Sequence, residues 1–260
     1  MFSHEPELKT IAFIPARLGS TRLPEKPLAD IAGKPMVQRV WEGVKDSQHI
    51  SRTVIVTDSE EIKKAAETFD AECVMTPPEL PSGTDRIAFA YKELDLDYDI
   101  IVNIQGDEPL ITGSDLDKLI VGLGGSLANA STLVKRIKAS GDITNPNVVK
   151  VVTQTDGTAL YFSRSAIPFA RNVRGGIDLE NQTYYKHIGI YAYREQTLLA
   201  FVNLPPSELE QTESLEQLRL LQNNYKMLCI ETDSEFISVD TSDDLARASQ
   251  FFSDKARKLK

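Results

Sequence analysis

DIIVNIQGDEPLI, residues 99–111, runs apolar through Ile104 and then turns abruptly into Gln105, Gly106, Asp107, Glu108 and Pro109. Side chains apolar on both faces of a short run mark a strand covered on both sides, as near the centre of a parallel sheet. The same texture recurs upstream in IAFI (11–14), TVIVT (53–57) and ECVMT (72–76). Each is followed by apolar residues at helical spacing. Met36, Val37, Val40, Trp41 and Val44 follow Pro35, a favoured first-turn residue. Ile62, Ala65, Ala66 and Phe69 follow Asp58 and Ser59, either of which can cap a helix. Ile87, Ala88, Tyr91 and Leu94 lead into the opening stretch. Beyond it, Ser114 and Asp117 predict a capping-box-like start for a helix carrying Leu116, Leu119, Ile120 and Leu123. Strands alternating with helices predict an α/β fold with a largely parallel sheet.

After residue 130 the pattern changes. NVVKVVTQTDGTALYFS reads as two strands around Thr155, Asp156 and Gly157, a hairpin signal, and YKHIGIYAYR (185–194) as a further strand. Residues 170–183 are polar and glycine-containing and read as a loop. Helical patterns return at 207–223 and 241–253, flanking a strand at 225–231. The expectation is one domain over 1–260, with a β-rich insertion at about 130–195.

Composition narrows the function. A net charge of −9 argues against nonspecific nucleic-acid binding. No apolar stretch approaches the roughly 18 residues of a membrane span. The opening MFSHEPELKT lacks the basic start and apolar middle of a signal peptide. Cys73 and Cys229 each sit in a strand-like run, without metal-binding spacing, and read as structural reduced thiols. A cytoplasmic protein is expected.

Against that acidic background, the loop after the first strand gathers Arg17, Arg22 and Lys26 among Gly19, Ser20 and Thr21. Open α/β sheets bind ligands at the carboxyl ends of their strands, where this loop must lie. Arginine forks suit bidentate anion contact and lysine acts as a point charge, so a polyanion such as a phosphate chain fits. A solvated loop whose cations pair with nearby carboxylates fits the same residues. The Walker and dinucleotide glycine patterns are both absent.

Asp107, at the carboxyl tip of its strand, is a candidate Mg²⁺ ligand, and Gly106 beside it allows an unusual backbone angle or a close approach. Asp240, in VDTSDDL just before a helix cap at Thr241 or Ser242, is the candidate second ligand; two metal ions could clamp attacking and leaving oxygens. The spacing alone does not bring these two acids together. Ser82 and Gly83 in PSGTDR form a turn and cap suited to backbone contacts with a nucleobase, or an ordinary turn. His187 shares a strand face with Gly189 and Tyr191, and Arg164 follows a hairpin strand; each has a structural reading too.

PARLGSTRLPEKPLADIAGKPM, SGTDR, NIQGDEP, NPNVVKVV, ALYFSRSAIPF, YKHIGIYAYR, ESLEQLR and VDTSDDL, in that order, resemble the 3-deoxy-manno-octulosonate cytidylyltransferases, or CMP-Kdo synthetases, over about residues 10–250. The resemblance implies a nucleotide-diphospho-sugar transferase fold, a mixed sheet flanked by helices with an inserted β-rich dimerisation portion. It implies Mg²⁺-dependent transfer of CMP from CTP to the acidic eight-carbon sugar Kdo for lipopolysaccharide biosynthesis, with pyrophosphate released, by a homodimer. On these positions, Arg17, Arg22 and Lys26 would bind triphosphate, with Arg17, Lys26 and Asp107 catalytic. Ser82 and Gly83 would line the cytosine pocket, and Asp107 and Asp240 would hold Mg²⁺. Gln105, Arg164, His187, Tyr191, Glu216 and Gln217 would address the sugar, and His187 is a weak candidate for a general base. Two departures stand out: Glu25 where the family usually has Gly, and Phe169 where Trp is commoner. They leave room for 8-amino-Kdo as acceptor. The His-Ile-Gly-Ile-Tyr strand and QGDEP speak against sialic acid, and QGDEP lacks the first Asp of a glycosyltransferase D-x-D motif. A noncatalytic nucleotide-binding module would not need two metal-holding acids.

Overall fold

The computed structural model describes residues 8–19 and 23–258. The chain divides into two compact units, residues 1–117 with 235–260, and residues 118–234. The second is wider than the β-rich stretch read at 130–195, because the helices and strand that follow join it.

In the first unit, β1 (Thr10–Pro15), β2 (Arg52–Thr57), β3 (Glu72–Met75) and β4 (Ile100–Ile104) form a parallel array in the order β3, β2, β1, β4. Every residue of β4 is buried, as its two-faced apolar run requires. The connecting helices are α1 (Met36–Val44), α2 (Glu60–Glu67) and α3 (Gly83–Glu93). The α1 face of Met36, Val37, Val40, Trp41 and Val44 is buried, the stripe that its spacing predicts. Ser59 caps α2 by accepting from the Ile62 N–H, a contact that stabilises by about 1 kcal/mol.

The helix α4 (Gly113–Gly124) starts differently from the expectation. Thr112, not Ser114, takes the cap: its Oγ1 accepts from the Asp115 N–H at 3.2 Å and donates to the Asp115 carboxylate at 2.6 Å. Asp117 instead accepts from the Ser47 hydroxyl and the Gln48 N–H, holding the turn after α1.

In the second unit, β5 (Ala130–Arg136) pairs antiparallel with β8 (Tyr185–Arg194) and parallel with β9 (Met227–Glu231). The expected hairpin is present as β6 (Lys150–Thr153) and β7 (Ala159–Ser163). A short α5 (Ser140–Thr144) precedes it, and α6 (Glu195–Phe201) follows β8 directly. The helical region 207–223 is two helices, α7 (Glu208–Glu213) and α8 (Gln217–Gln222). Ser214 at φ 52° breaks them apart, since a left-handed residue cannot continue a helix. Helix α9 (Ser242–Lys258) returns the chain to the first unit. No described helix is long and apolar enough to cross a membrane.

Candidate active site

The carboxyl ends of β1 and β4 open into a cleft of about 320 Å³ in the first unit. It is lined by the loop after β1 (Arg17, Gly19, Lys26), the turn after β4 (Gln105, Gly106, Asp107), and Asp240. Arg22, with Ser20 and Thr21, lies outside the described residues.

Lys26 opens a single 3-10 turn, Lys26–Leu28, whose Pro27 fits the first turn. Its ammonium donates to Asp107 Oδ2 at 2.7 Å and to Asp240 Oδ1 at 3.0 Å, with only 15% of the side chain exposed. One cation thus brings together two acids that lie 133 residues apart in the chain. Burial works to lower the Lys26 pKa, but the charge and hydrogen bonds of Asp107 and Asp240 outweigh it and hold the pKa above the ordinary lysine value. Lys26 is therefore an ammonium at any physiological pH.

The two acid-bearing segments are stitched by their backbones. The Val239 N–H donates to the Asp107 carbonyl at 3.0 Å, and the Ser238 hydroxyl donates to the buried Glu108 carboxylate. Thr241 caps α9, accepting from the Asp244 N–H, while the Asp244 carboxylate accepts from the N–H groups of Asp240 and Thr241. That reciprocal cap fixes the backbone at Asp240.

Gly106 is small for a reason other than an unusual backbone angle, since its φ is not in the left-handed region. A Cβ there would sit 3.0 Å from the Pro15 carbonyl oxygen, and one at Gly83 would sit 3.1 Å from Pro15 Cγ. Both glycines let the end of β1 approach closely and keep the cleft open. Ser82 caps α3, accepting from the Asp85 N–H at 3.1 Å and donating to the Asp85 carboxylate at 2.6 Å. Its hydroxyl is committed to the cap, and Gly83 is the residue of that turn that lines the cleft.

Arg86 was not among the residues singled out by sequence, although it ends the SGTDR motif. Its guanidinium lines the cleft with the side chain 2% exposed, donating to Asp58 at 3.0 Å, to the Thr76 hydroxyl and to the Pro77 carbonyl. An arginine on the same α3 face as the buried Ile87 and Ala90 was the available signal.

Gln105 lines the same cleft. The other residues that the resemblance assigned to the sugar belong to the second unit. Four of them cluster there. The His187 ring meets Phe162 edge-on at 4.9 Å between centroids and lies 5.4 Å from Tyr191. Tyr191 is buried and donates to Gln217 Oε1 at 3.3 Å. Burial, then the nearby Glu216 charge, push the Tyr191 pKa up, so the phenol stays protonated. Burial alone pushes the His187 pKa down to about 3, which removes it as a general base at neutral pH. Arg164 is held by backbone carbonyls: its Nε donates to that of Glu213 at 2.8 Å and its terminal nitrogens to those of Pro146 and Ser214. Cys73 and Cys229 are free thiols whose pKa burial raises to about 11 and about 12, so neither is a nucleophile.

Chemically, the cleft offers two carboxylates converging on one cation position. Such an oxygen set fits a hard divalent cation, which one or two carboxylates usually hold together with phosphate oxygens of a substrate. Among the described residues no cluster of three or more His, Cys, Asp or Glu could form a cage from protein alone.

A family model described as cytidylyltransferase matches residues 11–238. The chain is 45% identical over 256 residues to the 3-deoxy-manno-octulosonate cytidylyltransferase of Chloroherpeton thalassium, covering 97% of this chain and 100% of that one. The chain belongs to the 3-deoxy-manno-octulosonate cytidylyltransferase family. It is accordingly an enzyme of the nucleotidyltransferase class. A relative from Parabacteroides distasonis with the same name is 44% identical over 252 residues, 95% of this chain and 100% of that one. The solved structure of CMP:2-keto-3-deoxy-manno-octonic acid synthetase complexed with CTP superposes with a TM-score of 0.87 at 38% identity, covering 95% of this chain and 99% of that one. A 4-diphosphocytidyl-2C-methyl-D-erythritol synthase from Anaerococcus prevotii, at 14% identity and TM-score 0.65 over 95% of this chain and 99% of that one, shares the fold.

Proposed function

We propose that this enzyme transfers the cytidylyl group of CTP to the anomeric hydroxyl of Kdo, releasing pyrophosphate and giving CMP-Kdo for lipopolysaccharide synthesis. The observation that carries this reading is the Lys26 ammonium held between Asp107 and Asp240 in a cleft at the strand ends. A relative of the same fold binds CTP.

Arg17, with Arg22, takes the β- and γ-phosphates, and Gly83 at the start of α3 offers its backbone N–H to the cytosine. Asp107 and Asp240 would hold Mg²⁺, which when bound supplies positive charge at the reacting phosphate. Lys26 exchanges its two carboxylates for phosphate oxygens and follows the charge that develops at the α-phosphorus. The sugar oxygen attacks that phosphorus in line, the bond to pyrophosphate breaks, and no covalent enzyme intermediate forms. In the second unit His187, Tyr191, Glu216 and Gln217 address the sugar as neutral or anionic hydrogen-bonding groups, and Arg164 contributes its charge to the sugar carboxylate. The working unit is a homodimer in the cytoplasm, where CTP is made. Leu160 and Phe169, 57% and 70% exposed in the second unit, support pairing of two copies.

Pyrophosphate release from CTP and Mg²⁺, with Kdo, 8-amino-Kdo and sialic acid offered separately, tests the assignment. Kdo should give the strongest turnover. Preference for 8-amino-Kdo would move the acceptor assignment to that sugar, and silence with all three would refute the sugar while leaving the family intact.

A further inference from the structure

Between Thr132 and Leu133 of β5, the partner on β8 jumps from Tyr191 to Ile188. Gly189 and Ile190 are therefore extra residues in a bulge, and carbonyls near it turn from the ladder toward a side chain. That side chain is Thr132, fully buried, whose Oγ1 lies 2.8 Å from the Ile190 carbonyl oxygen and 3.2 Å from that of Ile188. The same oxygen lies 2.9 Å from His187 Nε2.

A threonine hydroxyl has one proton to give and lone pairs to accept with, whereas a carbonyl oxygen only accepts. The Thr132 proton must therefore go to a carbonyl, the nearer being that of Ile190. Aimed at His187 instead, it would leave two carbonyl oxygens against the hydroxyl oxygen with no hydrogen between them. What remains for His187 is a lone pair, so Nε2 carries a hydrogen and donates it. We propose that Thr132 is a positioning residue that holds His187 as the Nε2–H tautomer and leaves Nδ1 as a hydrogen-bond acceptor for a sugar hydroxyl.

The surroundings agree. Phe162 and Tyr191 fix the plane of the ring. Burial keeps the imidazole neutral, so only one nitrogen carries a hydrogen. Gln217 is 2% exposed, its Oε1 accepts from Tyr191, and its Nε2 makes no hydrogen bond among the described residues. An acceptor at His187 and an unused buried donor at Gln217 suit a hydroxyl group, which both gives and takes a hydrogen bond. The tautomer stands on geometry alone; its use toward a sugar hydroxyl rests on the proposed function.

The experiment is long-range ¹H–¹⁵N correlation NMR on the full chain with ¹⁵N-histidine at neutral pH, the His187 signals being assigned by their loss in His187→Gln. The unprotonated nitrogen of His187 is expected to be Nδ1. In Thr132→Val the tautomers should mix or invert, and Thr132→Ser, which keeps the hydroxyl, should restore the original pattern. KM for Kdo should rise roughly tenfold in Thr132→Val, the scale of one lost hydrogen bond, with KM for CTP unchanged. An Nδ1–H tautomer in the unmodified protein would overturn the proposal. So would an unaltered tautomer in a folded Thr132→Val, and the measurement on the unmodified chain decides the matter even if that variant does not fold. A tautomer that depends on Thr132 while KM for Kdo stays fixed would keep the positioning role and refute the place of His187 at the sugar.

Discussion

The cleft of the first unit and the polar cluster of the second are built on opposite electrostatic plans. In the cleft, Lys26, Asp107 and Asp240 form half-buried ion pairs, which the proposed function would exchange for phosphate oxygens and a divalent cation. In the cluster, His187 and Tyr191 are kept uncharged by burial, and Thr132 and Gln217 fix them through hydrogen bonds. On the proposed function, a charged ligand would be met by groups that swap partners, and a polyhydroxylated one by neutral groups whose donor and acceptor roles are set beforehand.

A large effect expected from this contrast is at Lys26. Lys26→Met should lower kcat about 10²- to 10³-fold, the scale of losing one group that stabilises transition-state charge, while circular dichroism stays native. A loss confined to KM for CTP would reduce Lys26 to ground-state binding. Arg86 sharpens the comparison inside the first unit, because its charge is permanently paired. Arg86→Met strands the Asp58 carboxylate, and urea unfolding should show a loss of about 3 kcal/mol, the low end for a broken buried pair because Asp58 is partly exposed.

The neutral cluster predicts a pH signature. The folded His187 pKa, about 3, lies below the unfolded value of 6.5, so the unfolded chain takes up a proton first as pH falls. The stability that His187 contributes is complete above pH 6.5 and is lost progressively between 6.5 and 3, at up to about 1.4 kcal/mol per pH unit. His187→Gln should flatten the stability profile between roughly pH 6.5 and 5, before the depressed carboxylates Glu210, Glu213 and Asp244 begin to titrate. An unchanged slope would mean that the imidazole is solvated and the cluster is not neutral by design. The smallest effect belongs to Glu25, exposed and left-handed at φ 52°. Glu25→Gly relieves about 1–2 kcal/mol of backbone strain against roughly 0.5–1 kcal/mol of extra unfolded-chain entropy. A net gain of about 0.5 kcal/mol should appear as a slightly higher Tm.

Much of the first unit is legible in the sequence because its signals are local. Each parallel strand is a largely apolar run, and the helices carry their own apolar stripes, with side-chain caps at Ser59 and Ser82. Where a cap competed with a neighbour, as Thr112 with Ser114, the sequence pointed two positions away. The second unit hides more. The strand β5 went unread because Ser131 and Thr132 are polar yet buried, and the groups that satisfy them, the carbonyls of Leu119, Ile188 and Ile190, come from other elements. The same is true of the bulge at Gly189 and Ile190, which brings the His187 and Tyr191 rings within 5.4 Å. In a regular strand their Cα atoms would stand about 13 Å apart, four residues at roughly 3.3 Å each. Asp107 and Asp240 were each visible as acids at element ends, but their convergence on Lys26 is a property of the folded chain alone.

The most direct test compares pyrophosphate release by the unmodified enzyme and by Asp107→Asn, with CTP, Kdo and saturating Mg²⁺, at matched native circular dichroism. The expected result is turnover in the unmodified enzyme and a loss of at least about 10³-fold in the variant, since an amide keeps the shape of Asp107 but not the charge that pairs with Lys26 and that, on the proposed function, would hold the divalent cation. Asp107→Asn turning over within tenfold of the unmodified enzyme would contradict the assignment of the charged cleft to phosphoryl transfer.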